Sequence, residues 1–312
     1  MDNSQKRKRV LITGCSSGFG LLTAVAAAKA GYDCIATMRN PAKADYLRGA
    51  LKQAGTDAMI EQLDVMDSEA ITAIAAKYAP IDILVNNAGI LIMGSALDIT
   101  EEEMQRIFET DFFGAVHLTR AVAPQMIERR SGLIINVASL AGLTGHLFNA
   151  TYSSAKHALV GFSRSIRLEL KPFNINVVSV EPGYHKTEII RANANITDNF
   201  YDKESAMFEY NRGFLRLMMD EVVLRAAEAD AVPAKIIEIM QAKKPKAHYV
   251  IGKDARIVAL ARWLGLAGLV DKIIYKKFTT AVRRENRRAE EKRKRRRIDD
   301  SPSATSTQWR KR

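Results

Sequence analysis

Three side chains stand in an order that could move a proton at an alcohol or carbonyl oxygen: Ser139, Tyr152 and Lys156. Tyr152 and Lys156, in Tyr152-Ser153-Ser154-Ala155-Lys156, are separated by four positions, which on a helix places both on one face. A phenol ordinarily titrates near ~10, and a cation within ~4–6 Å favours the phenolate. The pair is therefore expected to make the tyrosine acidic enough for proton transfer near neutral pH. Ser139 could hydrogen-bond the substrate oxygen and align it. Alone, Tyr152 and Lys156 read equally as a helix-surface pair. With Ser139 and a glycine turn upstream, that reading loses its force.

The glycine turn is Thr13-Gly14-Cys15-Ser16-Ser17-Gly18-Phe19-Gly20, where a β-branched run gives way to a helical pattern. Glycines permit a tight turn and close backbone approach, and the free N–H groups and positive end of a helix receive a pyrophosphate. The spacing Gly-x3-Gly-x-Gly differs from the common Gly-x-Gly-x2-Gly fingerprint, so a purely structural β–α turn stays open. At the end of the next strand, Thr37-Met38-Arg39 offers no carboxylate before Asp45. An acidic residue there would hold the ribose hydroxyls of NAD(H), whereas an arginine suits the 2′-phosphate of NADP(H). NADP(H) is expected over NAD(H), with a solvated surface Arg39 as the plain alternative.

The elements that must position these groups alternate. Strands are expected at Arg9–Thr13, Cys34–Met38, Met59–Leu63, Ile83–Val85, Leu133–Val137, Ile175–Val180 and His248–Ile251. Helices are expected at Gly18–Ala30, Pro41–Ala54, Ser68–Tyr78, Glu101–Arg129, Ala150–Leu170, Glu204–Leu224 and Ala231–Ala242. That alternation implies right-handed βαβ units and a parallel sheet covered on both faces, a doubly wound α/β domain over residues 1–252. Ser139 then falls at the carboxyl edge of the sheet, where such folds bind ligands. Residues 253–297 read as an apolar, then basic, helical extension, and 298–312 as a disordered tail.

Taken in order, these motifs resemble the short-chain dehydrogenase/reductase family from about Arg7 to Gly252. The matching residues are Thr13-Gly14…Gly18-Phe19-Gly20, Leu63-Asp64-Val65, Asn86-Asn87-Ala88-Gly89, Ser139, Tyr152…Lys156 and Pro182-Gly183…Thr187. The resemblance implies a Rossmann-type sheet of about seven strands and hydride transfer between a nicotinamide and a carbonyl or alcohol carbon. It implies Tyr152 as proton donor or acceptor, Lys156 tuning it and gripping the nicotinamide ribose, and Ser139 polarising the carbonyl. Asp64 would contact the adenine, Asn86 and Asn87 would line the cofactor cleft beside Pro182 and Gly183, and Thr187 would hold the carboxamide. One departure stands out. The family places an asparagine, in an Asn-x-x-Gly context, on the long central helix; here the stretch is Thr110-Asp111-Phe112-Phe113-Gly114. Asp111 could accept hydrogen bonds and stabilise protonated Lys156, but while ionised it cannot donate as an amide does.

Beyond Pro182-Gly183, the stretch 189–219 is rich in aromatics and methionines, among them Ile189, Ile190, Phe200, Tyr201, Met207, Phe214 and Met218. It reads either as a lid over a bulky apolar substrate or as ordinary core. His146 and Phe148 could border the pocket, and His185 reads as a lid or surface residue. The sequence is similar to the steroid- and retinol-dehydrogenase-like branch, which implies a lipophilic ketone, aldehyde or alcohol.

The chain has 312 residues, is 47% apolar and carries a net +12, which excludes wholesale disorder. Residues 271–312 hold 16 Lys+Arg and 6 Asp+Glu, so the basicity belongs to the tail. The body is nearly neutral. Cys15 and Cys34 are too few for a disulfide framework and have no metal-ligand spacing, so no metal is expected and the setting reads as cytoplasmic. The tail can be a packed helical segment, a membrane-surface contact or a nuclear-targeting or nucleic-acid patch; without interleaved aromatics, nucleic acid is disfavoured. Oligomerisation is implied only by the resemblance. Against an enzyme stands a non-catalytic nucleotide-binding scaffold or sensor that uses the tail for partners, but such a protein has no chemical need for Ser139, Tyr152 and Lys156.

Overall fold

A computed structural model of the chain describes residues 7–186, 194–223 and 226–299. Thr187, Ile189 and Ile190 lie outside the described residues, as does the tail beyond Asp299. Strands β1 (Arg9–Ile12), β2 (Asp33–Met38), β3 (Met59–Gln62) and β4 (Ile83–Asn86) alternate with helices α1 (Gly18–Lys29), α2 (Ala44–Gln53) and α3 (Ser68–Lys77). After a short strand β5 (Leu91–Met93) come α4 (Glu101–Phe108), α5 (Gly114–Glu128), β6 (Gly132–Val137), α6 (Ala150–Leu170) and β7 (Ile175–Pro182). The chain continues through β8 (Ala194–Ile196), α7 (Phe208–Leu217), α8 (Ala231–Gln241), β9 (His248–Ile251), α9 (Lys253–Trp263) and α10 (Ala267–Asp299).

Seven strands form one parallel sheet in the order β3-β2-β1-β4-β6-β7-β9. The order reverses between β1 and β4, and at that switch point the strand ends leave a crevice. Central strands are predominantly apolar, as in Ile83-Leu84-Val85 and Leu133-Ile134-Ile135, because both faces are covered. Val10, Ile12, Val85 and Ile135 point to the side packed by α1 and α8, while Leu11, Leu84, Ile134 and Val177 point to the α3–α5 side. Local signals start the helices: Asp67 caps α3, and Thr100 with Glu103 forms a capping box at α4.

The expected single helix over Glu101–Arg129 is interrupted. Glu109–Phe113 forms a π-helical turn between α4 and α5. Ile107, Asp111 and Ala115 are all buried, at successive spacings of four. A straight α-helix would rotate such positions progressively off one face, and the extra residue of the wider turn absorbs the drift. The pair β5–β8 was also not foreseen; it is a separate two-stranded parallel sheet of three residues each, too short to show a pattern. Helix α7 is shorter than expected and runs into a second π-helical turn at Met218–Val223.

The extension folds back on the body. Phe278, Ala281 and Val282 of α10 are buried, Phe278 packs edge-on to Phe148 at 5.7 Å, and a Cβ on Gly213 of α7 would meet Val282 at 2.4 Å. Among the described residues no helix is long and apolar enough to cross a membrane.

Candidate active site

The crevice at the switch point is a cavity of about 530 Å³. Its floor is the glycine turn. Gly14 has φ +73°, and a Cβ there would lie 2.8 Å from Ala88 Cα, so β1 and β4 close up only around a bare backbone. A Cβ on Gly20 would come within 2.3 Å of the Gly14 carbonyl oxygen. The Thr13 hydroxyl accepts the N–H groups of Asn87 and Ala88 at 3.0 and 2.9 Å, and Asn87 Nδ2 donates to the Thr13 carbonyl at 2.8 Å. Helix α1 thus starts at the cavity with no acidic residue in its first turn and no side-chain cap from Ser17. That is a cradle for an anionic group.

Gly14, Ser16, Ser17, Gly18, Phe19, Arg39, Asp64, Asn87, Pro182 and Gly183 all line this cavity, whereas Gly20 supports it from behind. Asn86 does not line it. Its carboxamide is buried and donates to Asn136 Oδ1 at 2.8 Å; Asn136 in turn donates to Ser163 Oγ at 2.8 Å. This chain ties β4, β6 and α6 together, so Asn86 holds the scaffold where the sequence suggested a cleft residue. Lys43, which sequence reasoning passed over, lines the cavity beside Arg39. The available signal was Asn40-Pro41: Asn40 caps a short helical turn over Pro41–Lys43 and aims it back at the cavity.

Ser139, Tyr152 and Lys156 meet on the cavity wall. Ser139 follows β6 and caps a short turn, accepting the Ala141 N–H at 3.1 Å. Tyr152 lines the same wall as Ser139, and the Lys156 ammonium lies 5.6 Å from the phenol ring centroid. Phe148, just before α6, holds φ +56°, a left-handed conformation costing roughly 1–2 kcal/mol. It is fixed by stacking on Phe214 at 4.4 Å and by Gly94 N–H bonded to its carbonyl at 2.9 Å. That turn sets the direction in which α6 presents Tyr152.

Asp111 joins them through the π-helical turn. Its Oδ2 is 3.1 Å from Lys156 Nζ, with the two side chains 0% and 4% exposed, and its Oδ1 accepts the Ile90 N–H at 2.7 Å. Gly89 roofs the pair: a Cβ there would sit 3.0 Å from Asp111 Oδ2. Burial disfavours the lysine's charge, but Asp111 and then Tyr152 outweigh it, and Lys156 is held above its ordinary value. Burial raises Asp111, against the opposing pull of Lys156 and the Ile90 N–H.

The expected acidification of Tyr152 is overturned. Burial raises the phenol, Lys156 pulls it down, Asp111 pushes it up and Ser139 lowers it, leaving it above the usual value. The lysine's field at the phenol is opposed by a carboxylate the spacing argument did not place there.

The substrate side is partly as expected. Met218 lines the cavity, joined by Leu91, Met93, Leu215 and Met219. Phe200 and Phe214 instead fill the core with Phe148, and Tyr201 faces solvent. His146 does border the pocket. Its Nδ1 lies 2.5 Å from the Tyr184 hydroxyl, and burial lowers its pKa to about 4. His185, expected at a lid or the surface, is buried edge-on to Phe19 at 5.6 Å.

A doubly wound sheet with an anion cradle at its switch point, facing a serine, a tyrosine and a lysine, defines the dinucleotide-dependent oxidoreductases. Residues 8–197 match the short chain dehydrogenase family model. The chain is 36% identical to the oxidoreductase YusZ of Bacillus subtilis (strain 168) over 87% of its own length and 98% of that protein's. It is 42% identical to human retinol dehydrogenase 8 over 58% of the chain, a match spanning only 60% of that relative. A solved structure of a tryptophan-substituted actinorhodin polyketide ketoreductase with NADPH superposes with a TM-score of 0.66 at 27% identity, covering 80% of this chain and 96% of that one. The protein belongs to the short-chain dehydrogenase family and is an oxidoreductase of that class.

Proposed function

We propose that the protein is an NADP(H)-dependent enzyme that interconverts a lipophilic ketone or aldehyde with its alcohol, with Tyr152 as proton donor or acceptor. The observation that carries this reading is that Ser139, Tyr152 and Lys156 share one cavity with the glycine turn. The cradle fits the cofactor: Gly14 and Gly18 have positive φ, and the uncapped, acid-free start of α1 suits a pyrophosphate. Arg39 and Lys43 offer two cations for a 2′-phosphate, and Asp64, Asn87, Pro182 and Gly183 complete the wall. Thr187 is assigned the carboxamide by resemblance alone. Bound there, the dinucleotide supplies or accepts the hydride.

The chain's own groups handle the oxygen and its proton. Ser139 donates a hydrogen bond to the substrate oxygen, and Tyr152 hands it a phenolic proton in the reductive direction. A phenol raised above its usual value is protonated at neutral pH, which is the form a general acid needs in the reductive direction. Asp111 acts through Lys156, keeping it charged beside the phenol. The apolar wall of Leu91, Met93, Leu215 and Met218 suits a steroid, retinoid or long-chain carbonyl, and similarity to a retinol dehydrogenase and an NADPH-bound ketoreductase supports both halves of the reading. The reading includes a cytoplasmic setting, supported by two buried free cysteines, and a homo-oligomer joined through the long helices α4–α5 and α6.

The test is NADPH oxidation against a panel of steroid ketones, retinal and long-chain aldehydes. Tyr152→Phe should lower turnover ~10²–10⁴-fold while NADPH affinity stays within about threefold. Turnover within about tenfold of the parent refutes the tyrosine's role, and equal efficiency with NADH refutes the cofactor assignment.

A further inference from the structure

Among the described residues, eight of the sixteen exposed large apolar side chains fall between residues 257 and 275, on the hairpin of α9 and α10. Ile257, Leu260 and Leu264 recur at i, i+3 and i+7 and so share a face, flanked by Trp263, which is 81% exposed. The hairpin tip is built rather than loose. Gly265 takes φ +74°, Leu266 N–H donates to the Ala261 carbonyl at 2.8 Å, and Gly265 N–H donates to the Arg262 carbonyl at 3.1 Å. These are the two bonds of a Schellman cap, and they hold Leu264 and Leu266 outward on a fixed turn. The inward face of α10 is already occupied at Phe278, Ala281 and Val282, so the outward stripe is not unused core.

A concentration of exposed apolar side chains of this kind marks a partner, and its surroundings choose which. Residues 253–299 hold 16 Lys+Arg against 6 Asp+Glu, a net +10, with Arg256, Arg262, Lys272 and Lys276 interleaved among the apolar positions. A second copy would set two such charges face to face. Nucleic acid would satisfy the cations but leave the leucines and Trp263 wet. A bilayer with anionic headgroups satisfies both: apolar side chains enter the interface, and the cations meet lipid phosphates.

The placement adds to this. The Arg262 guanidinium donates to the Leu143 carbonyl, just past the turn that Ser139 begins. Ile274 and Tyr275 of α10 border a recess with His146, which also lines the main cavity. Helix α7, on which α10 lies, supplies Leu215 to the cavity wall. We infer that the α9–α10 hairpin docks the protein on an anionic membrane surface, setting the apolar side of the cavity against the lipid.

Docking needs no chemistry at Tyr152, so it is read by binding alone. Trp309→Phe in the full chain leaves Trp263 as the single tryptophan. That protein should sediment with phosphatidylcholine vesicles containing about one third phosphatidylserine, with a blue shift of Trp263 fluorescence, and should release as salt rises from about 0.05 to 0.5 M. The triple substitution Leu260→Asp, Leu264→Asp, Leu266→Asp should bind at least ~30-fold more weakly, with circular dichroism and NADPH affinity unchanged. Equal binding of parent and triple variant, equal partition into pure phosphatidylcholine, or no partition into either vesicle overturns the inference. So does a solution dimer that the triple variant disperses, which would assign the face to a second copy.

Discussion

Replacing Asp111 by asparagine removes one charge from a pair that water barely reaches, and its consequence can be sized. At 3.1 Å and an effective dielectric constant of about 20, the attraction between Asp111 and Lys156 is roughly 5 kcal/mol. The loss at pH 7 has a ceiling, because the lysine can shed its proton: from an ordinary value near ~10.4 that costs at most about 4.6 kcal/mol. Relief of the carboxylate's own dehydration lowers the net further, so a destabilisation of about 3 kcal/mol is expected, in the range for breaking a buried pair. For a chain of this size that is a fall in Tm of roughly 5 °C. Lys156 is raised in the folded state, so its contribution is fully present below the unfolded lysine value and fades as pH rises through the folded one. The gap between parent and Asp111→Asn should therefore be widest near neutrality and close in strong alkali. Thermal melts from pH 6 to above the ordinary lysine range read this directly, with turnover measured alongside. Turnover should fall, because an uncharged Lys156 no longer pulls on the phenol. A pH-independent stability gap would refute the ion pair, and a rise in turnover of ~100-fold, about 2.7 kcal/mol of barrier, would show that Asp111 hinders the site.

Three further outcomes are expected. His146 is lowered from 6.5 to about 4, so the unfolded chain binds the extra proton between those values and stability falls as pH drops through that window, by about 3 kcal/mol in all; His146→Gln should flatten acid unfolding there, and an unchanged profile argues that the imidazole is not buried against Tyr184. Arg39→Ala should weaken NADPH binding ~10–100-fold and NADH binding by no more than about threefold, measured by fluorescence titration, since one charge-assisted contact to the 2′-phosphate is lost; equal losses would remove the arginine from that role. Gly14→Ala must place a Cβ 2.8 Å from Ala88 Cα at φ +73°, so it should lose at least ~2 kcal/mol of stability and most NADPH affinity, and a variant that melts and binds like the parent would contradict the cradle.

Short-range pattern was enough for much of this protein. Alternating apolar strands and helical periods specify a parallel sheet, because a strand buried on both faces is apolar along most of its length, as Ile83-Leu84-Val85 of β4 and Leu133-Ile134-Ile135 of β6 are. The four-residue separation of Tyr152 and Lys156 puts them on one face of a helix, and Gly14 marks a turn that needs a positive φ, because these are properties of neighbouring residues. Tertiary structure decided the energetics. Whether Lys156 acidifies Tyr152 depends first on the burial of the phenol and then on Asp111, which lies far away in sequence and is turned inward by a π-helical turn with no local signature. Whether Asn86 faces a ligand or Asn136 depends on which strand lies beside β4, and whether the aromatics of α7 form a lid or a core depends on α10 folding back over them. Pattern reveals which residue types recur along the chain; burial and charge are sums over neighbours that only the assembled fold brings together.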